Sequence, residues 1–150
     1  MANESIKNLL QFAIDREQEA VDFYSRLAEE TTNRAMKETF TSFAKEEMGH
    51  KVRLTQALEG KFELNITSEV PDLKIADYLV DEEPTPNMNY QQALVVAMKR
   101  EKAAYRFYLD LAERTQDPDV KAMLLKLANE EAKHKLRFEV EYDDVVLAEN

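Results

Sequence analysis

The chain contains an internal copy of itself. Setting each residue against the one 84 positions later matches 13–54 with 97–138 without a gap, and 17 of those 42 positions are identical. The identities include Glu17 with Glu101, Tyr24 with Tyr108, Glu47 with Glu131 and His50 with His134. Each copy reads Glu-x6-Tyr and then, about thirty residues after its first glutamate, Glu-x2-His. A duplicated unit of this length has to bury its apolar face against something, and the simplest partner is its own duplicate.

Apolar spacing assigns helices to the copies. Residues 4–30 place Leu9, Leu10, Ala13, Ile14, Ala20, Val21, Tyr24, Leu27 and Ala28 at helical intervals. Thr31-Thr32-Asn33 interrupts that pattern and supplies cap residues for a second helix over 34–59, which Gly60 stops. A third helix covers about 89–115. Gln116-Asp117-Pro118 is a turn with proline at the first position of a fourth helix over 118–142, and residues 143–150 form a tail expected to fray. Only 2 Gly and 4 Pro in 150 residues agree with long helices.

The segment 61–88 lies between the copies. Residues 72–79 suit a short helix, and Pro84 and Pro86 make the remainder a linker. Neighbouring antiparallel helices need only about 2–8 connecting residues. A connection of this length can run the full length of a bundle, so that the third helix starts where the second did. The expectation is a single all-α domain over 1–150: a four-helix bundle made of two pseudo-symmetric hairpins, with a long crossover between helices 2 and 3.

Composition narrows the function. The chain has no Cys, which excludes disulfides, iron–sulfur clusters, thiolate zinc sites and thiol catalysis together. Residues 1–4 begin no signal-like pattern, no apolar run approaches the roughly 18 residues of a membrane span, and a cytoplasmic location is expected. A formal net charge of −10 opposes binding to nucleic acid or to an anionic membrane.

The repeated acids sit in the wrong place for solvated groups. Glu17, Glu47, Glu101 and Glu131 all fall within apolar stripes, and His50 and His134 follow one turn along the same faces. The midpoint of 17 and 47 is 32, and the midpoint of 101 and 131 is 116; both fall in the turns. In each hairpin the two glutamates are therefore level, roughly 22 Å from the tip. Four buried carboxylates at one height cost several kcal/mol each unless compensated. Two divalent cations balance them, with neutral imidazoles completing the coordination. Oxygen with some nitrogen suits iron or manganese, and zinc also accepts such a set. The metal ligands expected are Glu17, Glu47, His50, Glu101, Glu131 and His134.

Other residues take lesser parts. Tyr24 and Tyr108, two turns after Glu17 and Glu101, are placed to hydrogen-bond and orient the carboxylates. Glu46 and Glu130 point about 100° away from the ligands, toward solvent. Arg53 and Arg137 follow each histidine by three residues and can neutralise an outer carboxylate. Tyr105, Met36, Met98 and Met123 read as packing residues.

With the doubled Glu-x6-Tyr and Glu-x2-His in hand, the chain resembles the ferritin-like superfamily, and within it the four-helix domain of the rubrerythrin family. The stretches Lys45-Glu46-Glu47-Met48-Gly49-His50 and Asn129-Glu130-Glu131-Ala132-Lys133-His134 carry the resemblance, which extends over nearly the whole chain. It implies a di-iron site in which Glu47 and Glu131 bridge the metals, Glu17 and Glu101 are terminal ligands and each ion takes one histidine. It also implies reduction of hydrogen peroxide. Rubrerythrins proper add a rubredoxin domain with Cys ligands, which this sequence lacks, so an external electron-donor protein is expected. They also carry an extra carboxylate one turn after the third-helix glutamate, where this chain has Ala104, with Ala20 as its repeat mate. Oxidation of ferrous ion by oxygen is the alternative use of the same site, and a metal-binding bundle without turnover is a third reading. A homodimer, with helices exchanged through the long connection, is also expected.

Overall fold

The computed structural model describes residues 2–60, 78–79, 88–115 and 117–149. It holds four helices in chain order: α1 (Ala2–Glu30), α2 (Arg34–Leu58), α3 (Tyr90–Glu113) and α4 (Pro118–Glu149). The architecture is all-α, as the apolar periodicity requires. The described chain forms two compact units, Met1–Asp72 and Leu73–Asn150. Each is built on one antiparallel helical hairpin, α1 on α2 and α3 on α4. Most of the expected crossover, including residues 72–77 of its short helix, lies outside the described residues, as does Gln116 of the second turn.

Local chemistry explains where the helices begin and end. Asn33 caps α2 by accepting a hydrogen bond from the Met36 amide at 3.1 Å. Past the end of α2, Gly60 takes φ 79°, the left-handed conformation that closes a helix at low cost. Asn89 and Gln92 form a reciprocal capping box at the start of α3. Pro118 opens α4, and Asp117 Oδ1 accepts from the amides of Asp119 and Val120. The boundary that differs from expectation is the end of α4, which continues to Glu149. Asp143 and Asp144 do not break it. The turn before them is anchored to α3, because the Tyr90 hydroxyl donates to Glu141 Oε1 at 3.1 Å.

Each hairpin has its own core. In the first, Leu9, Leu10, Ala13, Phe23, Tyr24 and Leu27 of α1 are buried, with Met36, Phe40, Ala44 and Leu54 of α2. The Tyr24 ring meets Phe43 edge-on at 6.2 Å. In the second, Leu94, Ala97, Phe107, Tyr108 and Leu111 of α3 are buried, with Leu124, Leu127, Ala128 and Phe138 of α4. Tyr78, expected in the short crossover helix, is buried and packs on α3. Its ring stands edge-on to Phe107 at 5.2 Å, and its hydroxyl donates to Asp110 Oδ2 at 2.7 Å. Ala20, Val21, Ala104 and Tyr105, expected inside, are only half-buried, as are Met98 and Met123. Ala20 and Val21 flank the Ala13–Glu17–Tyr24 line on either side rather than lying on it, and Ala104 and Tyr105 repeat that placement.

Candidate metal centre

Glu17 and Glu47 face each other across the first hairpin because the short 31–33 turn sets α1 and α2 antiparallel with these residues level. Glu101 and Glu131 do the same across the second. All four glutamates and both histidines are buried, none more than 2% exposed. In a chain with 33% charged residues, burial this complete for an ionisable group requires a compensating interaction.

The side chains of each hairpin converge. Glu17, Glu47 and His50 each offer a ligand atom within 4.8 Å of the others, and so do Glu101, Glu131 and His134. His50 Nδ1 lies 3.6 Å from Glu17 Oε2 and 3.5 Å from Glu47 Oε1. His134 Nδ1 lies 3.7 Å from Glu101 Oε2. These separations exceed the usual 2.7–3.2 Å of an N–H to oxygen hydrogen bond. They are close to the roughly 3.0–3.4 Å between two donor atoms that share an ion at about 2.1 Å. Two carboxylates and one neutral imidazole per hairpin carry a charge that one divalent cation balances. Oxygen donors with one nitrogen are what iron, manganese or zinc accepts. The residues present therefore fit a metal site.

The neighbouring residues fall into place around these triads. Tyr24 and Tyr108 are buried on the same helix faces two turns further on, at 1% and 2% exposure. Glu46 is exposed and Glu130 half-buried, both turned from the ligand face. Arg137 Nη1 lies 3.7 Å from Glu141 Oε2, a carboxylate one turn on along α4. Lys51 Nζ donates to Gln18 Oε1 at 2.6 Å, tying α2 to α1 through the residues adjacent to His50 and Glu17.

The sequence reading missed the pair Tyr90–Glu141. Burial, and then the adjacent Glu141 charge and hydrogen bond, push the Tyr90 hydroxyl well above its ordinary range of about 10. Repeat logic is blind to this pair, since the mates of Tyr90 and Glu141 are Ile6 and Ala57. The one available signal was Arg137-x3-Glu141, an ion pair at helical spacing.

The rubrerythrin family profile matches residues 8–142, which include all six candidate ligands and both tyrosines. The chain belongs to the rubrerythrin family. Its fold is accordingly that of a ferritin-like four-helix protein. A solved structure, a hypothetical protein from Pyrococcus furiosus, is similar at a TM-score of 0.73 and 28% identity, over 95% of this chain and 91% of that one. No curated protein matches. Among the described residues, no helix is long and apolar enough to cross a membrane.

Proposed function

We propose that this rubrerythrin-family chain is a di-iron carboxylate protein that reduces hydrogen peroxide, with electrons from an external donor protein. The observation that carries the reading is the doubling of one buried triad: Glu17, Glu47 and His50, and again Glu101, Glu131 and His134. In this reading 1–150 act as one domain. Two ions would be held by Glu47 and Glu131 as shared ligands, by Glu17 and Glu101 as terminal ones, and by His50 and His134, one for each ion. When bound there, a ferrous pair would supply the two electrons that cleavage of a peroxide O–O bond consumes.

The protein's own residues do the rest. The glutamates hold their ligand atoms at fixed spacing on two rigid hairpins. Leu27, Phe40, Leu111 and Leu124, all buried on the ligand-bearing helices, support a dry interior. Tyr24 and Tyr108 orient the carboxylates. The lack of cysteine agrees with work in a reducing cytoplasm and with electrons arriving from another protein.

Elemental analysis of protein purified without added metal or chelator comes first, followed by anaerobic ferrous loading and stopped-flow mixing. Two irons per chain, and reaction with peroxide faster than that of free ferrous ion, are expected. Reaction faster with oxygen than with peroxide moves the function to ferrous-ion oxidation. Stoichiometric zinc without redox chemistry leaves a metal-binding bundle.

A further inference from the structure

The ligand-bearing helix α4 is apolar on two opposite sides. Its inner line, Leu124, Leu127, Ala128, Glu131, His134 and Phe138, is buried. About half a turn away, a second line is exposed: Leu125 at 41%, Leu136 at 61%, Val140 at 48% and Leu147 at 71%. Leu125, Leu136 and Leu147 recur every eleven residues, close to three helical turns, so they lie on one stripe about 33 Å long. Isolated exposed leucines need no explanation, but an aligned set on a single helix marks a contact surface.

Among the exposed charges of α4, Lys121, Lys126 and Lys133 lie in its N-terminal half, after Asp119 in the first turn, and Asp143 and Asp144 lie in its C-terminal half. A second α4 laid antiparallel on the first brings basic half to acidic half twice, whereas a parallel one brings like to like. Placing Leu136 at the two-fold axis sets Leu125 of one copy opposite Leu147 of the other. The same register brings Lys126 of one copy within a turn of Asp144 of the other, on the same side of the stripe. A surface complementary to itself under a two-fold rotation is the property of an isologous interface.

We infer that the outward face of α4 is an interaction surface for a second copy of this chain, packed antiparallel about Leu136. The inference is independent of what metal the chain binds. A helix-wide strip of this length buries an area at the low end of specific interfaces.

The absence of cysteine makes a clean test possible. Leu136→Cys, under mild oxidation, is expected to give a disulfide-linked dimer on a non-reducing gel. The control Leu79→Cys, at a residue 53% exposed elsewhere in the same unit, is expected to remain monomeric. Light scattering of the unmodified protein, from roughly 1 to 200 µM, is expected to approach twice the 17.4 kDa chain mass. Leu136→Glu holds it at one mass with unchanged helicity. Lys126→Asp weakens the dimer at least tenfold, and Lys126→Asp with Asp144→Lys restores it. A monomer at all concentrations overturns the inference. So does a dimer whose mass Leu136→Glu leaves alone and which Leu136→Cys does not trap, the result that exchange of hairpins gives.

Discussion

Replacing Glu47 by glutamine separates a site built for metal from one built for stability. Glu17 and Glu47 are each 2% exposed, and their ligand atoms lie within 4.8 Å. At an effective dielectric near 20, two ionised carboxylates at that distance repel by about 3.5 kcal/mol. Relaxation and the His50 imidazole beside both carboxylates reduce this, leaving about 1–3 kcal/mol of repulsion between them. Glutamine keeps the shape and removes the charge. In chelator-treated protein, Glu47→Gln is therefore expected to raise the melting temperature by roughly 5 °C, at about 2–4 °C per kcal/mol for a chain of this size. In the loaded protein the sign reverses. An ion present at about 100 times its Kd stabilises by about 2.7 kcal/mol, and the variant forfeits most of that. Calorimetry on both proteins, with chelator and with anaerobic ferrous ion, reads all four values. A metal-free Glu47→Gln that melts below the unmodified protein, with the same ferrous-induced gain, refutes the reasoning. It would mean that protein groups alone compensate the carboxylates.

Two further outcomes follow from the second hairpin. Asn89→Ala removes the side-chain half of the α3 capping box and is expected to cost about 0.5–2 kcal/mol in chemical denaturation, with Asn89→Gly milder. Tyr90 holds its proton in the folded state to higher pH than in the unfolded chain. Stability should therefore fall as pH rises above about 10, where the unfolded tyrosine ionises first, and Tyr90→Phe should flatten that fall.

The repeat made the fold and the ligand set legible because both depend on positions that the two copies share. Helical periodicity needs only apolar residues at fixed intervals, and turns need only their cap residues. The levelling of Glu17 with Glu47 needs only that equal lengths of helix flank the turn. What escaped sequence reading lies where the copies differ. The extension of α4 past residue 142 depends on Tyr90 holding Glu141, a contact between residues 51 positions apart with no counterpart in the first hairpin. Ala20 and Val21 read as core because they fall at helical intervals with buried residues, and Tyr105 as packing, yet burial is decided by which side of the Ala13–Glu17–Tyr24 line, or its repeat, they occupy. Tyr78 falls in the stretch read as a short helix, but that pattern does not say where the residue docks; its anchor is a hydroxyl bond to Asp110.

The same division between shared and unshared positions separates the ligands from their supports. Every candidate ligand has an identical mate, as a doubled metal site would require. The bonds made beside them differ between the copies. In the first hairpin Lys51 reaches across to Gln18, while at the matching places in the second stand Lys135 and Lys102, two cations that cannot bond each other. Lys135 pairs instead with Glu139 on its own helix, and the bond between hairpin arms is made further along by Tyr90 and Glu141. Both hairpins thus keep α-helix tied to α-helix through a polar side-chain bond, but at different heights. The first tie lies next to His50 and the second two turns beyond His134. A duplicated protein that had to keep only its fold could let Glu17, Glu47 and their mates drift toward leucine, which buries at a gain rather than a cost. Retaining four buried acids in register, while the ties around them differ, is consistent with selection acting on the donor atoms themselves.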